Sequence, residues 1–133
     1  MSIDYKDLNP VEATAVINNQ SLEFNKFSLM AQCWADKEFA TADEPSGVIV
    51  LSGLIQDWTQ PEPMLKLSYY LLKDKSLFKS FQEYLEFVDS HKSKWTNVKA
   101  IYEAVVYTLG VSQPQIDEME EELELKKSLA VGS

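Results

Sequence analysis

The sequence predicts a mainly α-helical domain of about five to six helices behind a short N-terminal β-hairpin, from three observations. Apolar residues recur at three- and four-residue intervals in separate blocks along the 133 residues. Ser, Pro and Gly stand where those blocks begin and end. One early stretch alternates instead, on either side of an Asn-Asn pair.

Met1 to Pro10 is polar and aperiodic, an arm ahead of the fold. Ala13 to Asn18 reads as a strand, and Leu22-Glu23-Phe24 alternates. Between them Asn18-Asn19-Gln20-Ser21 has turn chemistry, because Asn tolerates positive φ and bonds its own backbone. Ser28 can cap a helix from Leu29 to Phe39 by accepting from an orphan N–H of the first turn. Met30, Cys33, Trp34 and the stem of Lys37 share one face of it, and Cys33 is expected to be a buried, inert thiol. Ala40 to Pro45 is a loop. In Ser46 to Trp58, the β-branched Val48-Ile49-Val50-Leu51 would suit a strand. Val48, Leu51, Leu54, Ile55 and Trp58 nevertheless fall on one helical face over a helical length, so helix is the reading.

Pro61 and Pro63 mark a break and suit a first helical turn, where a missing N–H costs nothing. A helix follows from Glu62 to Lys73. Ser80-x-x-Glu83 is a capping box ahead of Phe81, Tyr84, Leu85 and Val88. Thr96 can cap the next helix, with Val98, Ile101, Val105 and Leu109 inward and Gly110 at its stop. Ser112-x-x-Gln115, with Pro114, opens a last helix whose apolar face is thin: Ile116, Met119 and Leu123. Residues 1–112 then form one domain with an N-terminal arm, and 113–133 an acidic C-terminal helix, docked or extended.

Composition narrows the function. The net charge is −9, and six of the 21 acids fall between Asp117 and Glu124. There is no arginine, so the bidentate fork for phosphate and guanine is missing. Nucleic-acid binding is not expected, since it draws its affinity from cations on phosphates. No run approaches the roughly 20 apolar residues that span a bilayer, and Met1 to Asp7 lacks the pattern of a signal peptide. A cytoplasmic protein without a membrane role is expected.

Catalytic, cofactor and metal residues are all expected to be none. The four glycines match no phosphate-loop spacing, and one His with one Cys is too few for a transition-metal site. His91 stands where a helix should end, suited to the helix dipole. Glu83/Glu86 and Glu118/Glu122 lie at helical spacing on solvated faces, whereas acid–base work needs two different environments. The stronger signal is aromatic. Phe81, Tyr84 and Phe87 occupy more than one face of their helix, so that helix is central or meets another chain. Ile116, Met119 and Leu123 form the thin face of the last helix. These six are the candidate protein-binding residues.

The arrangement resembles the tail assembly chaperones of long-tailed, non-contractile bacteriophages. The residues that carry it are Ala15-Val16-Ile17-Asn18 turning into Leu22 to Leu29, the helix Ala31 to Phe39, Pro63 to Lys75, then Phe78 and Phe81-Gln82-Glu83-Tyr84-Leu85. An acidic helical tail follows Pro114. The resemblance implies a mainly helical fold and no catalytic residue. It implies binding to the tape measure protein to keep it soluble, and recruitment of tail tube subunits, without a place in the finished virion. It also implies a longer product made by programmed ribosomal frameshifting. Glu124-Leu125-Lys126-Lys127-Ser128 lies where a shift could occur, because Lys-Lys can be encoded by a run of adenines. Self-association is a further use open to the aromatic centre. The competing readings are a small acidic inhibitor of a nuclease and an immunity protein that blocks a toxin.

Overall fold

Two asparagines set the first element. Asn18 and Asn19 take φ of 51° and 63°, the positive pair that a two-residue type I′ turn requires. The turn joins β1 (Ala13–Ile17) to β2 (Gln20–Phe24) as an antiparallel hairpin, with Ile17 opposite Gln20 and Ala13 opposite Phe24. Ala15, Ile17, Leu22 and Phe24 are buried, while Thr14, Val16, Ser21 and Glu23 are exposed. The structure is a computed structural model that describes residues 10–57, 59–90, 94–111, 116–118, 120–122 and 125. Over these residues the protein is mainly helical, with this hairpin at its N-terminal end.

α1 (Leu29–Phe39) starts at Ser28, whose Oγ accepts from the Ala31 N–H at 3.3 Å. Its inner face is not the expected one. α1 buries Ala31 and Ala35, while Met30 is 74% exposed and the Cys33 thiol is at the surface. The reason is close approach. α2 (Gly47–Leu54) lies so near α1 that a Cβ on Gly47 would stand 2.2 Å from the Ala35 carbonyl oxygen. The contact is with the α1 backbone at Ala35 and Asp36, and the small Ala35 side chain leaves room for it. Asp36 completes the junction, its Oδ1 accepting from the Val48 N–H at 3.0 Å, where a carboxylate also suits the helix dipole.

The segment from Ser46 is helical, as expected, over a shorter span. Leu51 and Ile55 are buried, Val48 is half-buried and Leu54 lies at the exposed edge; Trp58 lies outside the described residues. α3 (Glu62–Leu71) follows Pro61 with Pro63 in its first turn. It stops short of Lys73 because the chain there joins the hairpin. Leu72 turns extended and bridges Phe24. The Lys73 N–H then donates to the Glu23 carbonyl at 3.0 Å, and the Asn25 N–H to the Leu71 carbonyl at 2.7 Å. A single 3-10 turn (Lys75–Leu77) leads to α4 (Phe81–Asp89). Ser80 opens α4 by accepting from the Glu83 N–H at 3.2 Å, the first half of the capping box.

α5 (Lys94–Thr108) begins before Thr96, which therefore sits in its first turn instead of capping it. His91 lies outside the described residues. Val98, Ile101, Val105 and Leu109 are buried as expected, and Gly110, at φ 85°, ends the helix. α5 is the axis of the fold and packs against the hairpin, α3 and α4. A polar link fixes these parts at one end. Asn97, buried on α5, donates to the Val88 carbonyl at 3.0 Å and to Asn18 Oδ1 at 3.2 Å. Asn18 donates in turn to the Phe87 carbonyl at 2.8 Å.

Of the last helix, residues 116–118 and 120–122 are described as helical. Ile116 is buried, and Glu120 reaches Lys99 on α5 at 3.6 Å. Glu120 also faces Glu103 and the buried Tyr102 hydroxyl, which has no hydrogen-bond partner among the described residues. Burial first, and then the Glu103 charge, raise the Glu120 pKa, while Lys99 opposes the shift. A carboxyl whose folded pKa is raised binds more protons folded than unfolded, so its contribution falls as pH rises above about 4.3. Glu120→Gln is therefore expected to raise the thermal midpoint at pH 7 and to leave it nearly unchanged near pH 4. A lowered midpoint at pH 7 would mean that Lys99 satisfies the carboxylate.

Candidate protein-binding surface

α3 and α4 each carry more apolar side chain than one inner face can hold. Met64, Leu65, Leu67 and Leu71 fill the inner side of α3, which leaves Tyr69 and Tyr70 half-buried at its margins. α4 buries Tyr84 and Val88 and leaves Phe81, Leu85 and Phe87 half-buried. The rings form a continuous chain: Phe81 on Tyr69 at 5.6 Å, Tyr69 on Tyr84 at 5.5 Å, Tyr84 on Phe78 at 5.1 Å and Phe78 on Phe87 at 5.2 Å between centroids. Offset and edge contacts of this kind add to the gain from burial.

The four sequence candidates among the described residues do not form one surface. Tyr84 is fully buried, and its hydroxyl meets Ser68 Oγ at 2.7 Å. Ser68 donates to the Leu65 carbonyl at 2.8 Å, so Tyr84 donates to Ser68. Burial pushes the Tyr84 phenol well above its ordinary range. Ile116 is 1% exposed. Both side chains belong to the core, where neither offers surface to a partner. Phe81 and Phe87 keep partly open edges. Met119 and Leu123 lie outside the described residues.

Two apolar grooves flank the ring chain. The first, about 330 Å³, lies between α3, α4 and α5. Leu65, Val88 and Val98 form its floor, Pro61, Leu85 and Trp95 its walls, and Glu86, Asp89 and Lys94 its charged rim. Trp95 is 48% exposed there. The second, about 440 Å³, holds Trp34, Tyr69, Tyr70 and Phe81, with Glu38, Lys66 and Lys75 around them. Trp34 stacks on Tyr70 at 4.5 Å with 14° between the planes, and Phe39 meets Trp34 edge-on at 5.7 Å.

Trp95 lies outside the six candidates because the sequence places a cap at Thr96, whereas α5 begins at Lys94 and carries Trp95 in its first turn. The Trp34–Tyr70 stack joins α1 to α3 across a long stretch of chain, and periodicity within one helix carries no trace of it. Among the described residues, no group of three or more His, Cys, Asp or Glu could hold a metal ion. No helix there is long and apolar enough to cross a membrane. No protein-family model, curated protein or solved structure matches the chain.

Proposed function

We propose that this protein is a non-catalytic tail assembly chaperone of a long-tailed, non-contractile bacteriophage. In this reading it works in the host cytoplasm, binds the tape measure protein, keeps it soluble and recruits tail tube subunits around it. It is absent from the finished virion, and a frameshifted longer product accompanies it. The resemblance in sequence supplies the identity of the client. The observation that supports the reading is the apolar groove between α3, α4 and α5, with Trp95 open in its wall.

An amphipathic helix presents apolar anchors at intervals of three and four residues, and a groove between helices receives them. A groove of this size holds one or two such anchors, and half-exposed Trp is the residue type that dominates interface energies. A long client must bind many copies, which gives avidity from modest single contacts. The net charge of −9 keeps such an array soluble.

The test is co-expression with the tape measure protein encoded in the same genome, measuring how much client stays soluble and co-purifies. The parent chain is expected to hold the client in solution. Trp95→Ala, at a half-exposed position, is expected to fold and to lose most of the co-purified client. A client that aggregates with and without this protein would overturn the reading and favour the inhibitor or immunity alternatives.

A further inference from the structure

Among the described residues, β1 leaves one side of the hairpin without a neighbour. The two-residue turn makes Ile17 and Gln20 a hydrogen-bonded pair, and pairing alternates along an antiparallel ladder. Ala15 and Ala13 therefore exchange bonds with β2, while Thr14 and Val16 aim their N–H and C=O groups the other way. The far side of β2 is closed by Leu72 and Lys73. The sheet has two strands, and among the described residues no backbone bond from Thr14 or Val16 reaches another element.

Natural proteins blunt such an edge with Lys, Pro or a bulge. β1 reads Ala-Thr-Ala-Val-Ile and has none of these, and Val16 is 68% exposed on it. Beside the edge runs a groove of about 500 Å³ whose other wall is α5. Ala100 and Ala104 keep that wall low, and Tyr107, 45% exposed, stands at one end. The charges around the groove are mostly acidic: Glu12, Glu23 and Glu103 against Lys73. Lys73 is already committed to Glu12 at 2.6 Å, and this hydrogen bond raises its pKa and holds it charged.

We propose that the groove between β1 and α5 takes an extended, basic segment of a partner protein, which joins the sheet as a third strand. The free N–H and C=O groups of Thr14 and Val16 hold its backbone. Its alternate side chains lie over Ala100 and Ala104. Glu12, Glu23 and Glu103, three acids against the one lysine of the groove lining, select for positive charge. They also disfavour a second copy of this chain, whose own β1 carries the same acids alongside it. The proposal does not rest on the chaperone reading, because it concerns a different face from the α3–α4–α5 groove.

The test uses isotope-labelled full-length protein and a short peptide alternating Val and Thr between terminal lysines. The Thr14 and Val16 amide signals are expected to shift, and their hydrogen exchange to slow by about tenfold or more. The same peptide N-methylated on the strand edge that faces β1 should not bind. Thr14→Pro removes one edge donor without touching a ladder bond, and it should abolish the shifts at an unchanged unfolding midpoint. Glu103→Lys leaves the strand intact and should weaken binding about tenfold at low salt, less at high salt. Shifts confined to other parts of the molecule, or none at millimolar peptide, would overturn the proposal. So would equal binding of the N-methylated peptide, or Thr14 and Val16 amides already protected in the free protein as its concentration rises. That last outcome would assign the edge to a second copy.

Discussion

Tyr84→Ala is expected to destabilise the protein by about 3–5 kcal/mol, the range for removing a large buried ring. The ring is fully buried and touches Tyr69, Phe78 and Phe81. Three contacts at once make collapse of the void difficult, because Phe78 and Tyr69 are held by other elements. Domains of this kind have about 5–15 kcal/mol of total stability, so the variant should unfold at much lower urea and lose about 10 °C or more in thermal midpoint. Tyr84→Phe removes only the hydroxyl. Ser68 keeps the Leu65 carbonyl as partner, so a loss of about 1 kcal/mol is expected. The pair separates two roles for the residue. If Tyr84 met a partner, Ala would impair binding and leave the urea midpoint within about 0.5 kcal/mol of the parent, as surface substitutions do. A core ring gives the opposite result, with the Phe variant both folded and able to bind.

Local chemistry in the sequence accounts for much of this fold. Alternation around Asn18-Asn19 leads to the hairpin, while the turn type comes from the backbone of the two asparagines. Ser28 and Ser80 mark two helix starts through bonds that span three residues. The apolar spacing of Val98, Ile101, Val105 and Leu109 identifies the inner face of α5. What could not be read depends on distant partners. α3 ends early because Leu72 finds Phe24 on β2, a competition invisible within either segment. α1 turns its alanines inward because α2 needs close approach, and hydrophobicity alone ranks Met30 and Cys33 above Ala31 and Ala35. The candidate surface follows the same rule. Aromatic density around Phe81, Tyr84 and Phe87 was legible, whereas the side of the helix each ring would occupy depended on Ser68, Phe78 and Tyr69. The open edge of β1 needed the register of the pair and the position of Leu72, neither of which spacing supplies.

The two glycines of α2 should respond to the same substitution with opposite signs. In a helix, Ala is favoured over Gly by roughly 0.5–1 kcal/mol, because Gly loses more backbone freedom on folding. Gly53 meets nothing within 4 Å at the position of an added Cβ, so Gly53→Ala should stabilise by about that amount. At Gly47 the added carbon would stand 2.2 Å from the Ala35 oxygen and 2.6 Å from the Asp36 Cα. Both are backbone atoms of α1 and cannot swing aside as a side-chain tip would. α2 must move away, and that movement loosens the Asp36 bond to the Val48 N–H and the burial of Leu51 against the core. Overpacking of this kind costs about 1–3 kcal/mol, which exceeds the helix gain, and Gly47→Val should cost more still. The measurement is the urea midpoint of the three variants at constant m-value. A Gly47→Ala variant as stable as Gly53→Ala would show that α1 and α2 stand further apart, and it would remove the reason given for the exposure of Met30 and Cys33. The contrast also bears on binding. α1 carries Trp34 of the second groove, and its backbone at Ala35 lies against Gly47 of α2. Any part of the strain that α1 takes up would carry Trp34 off Tyr70, and loss of the stack would register as a change in tryptophan fluorescence.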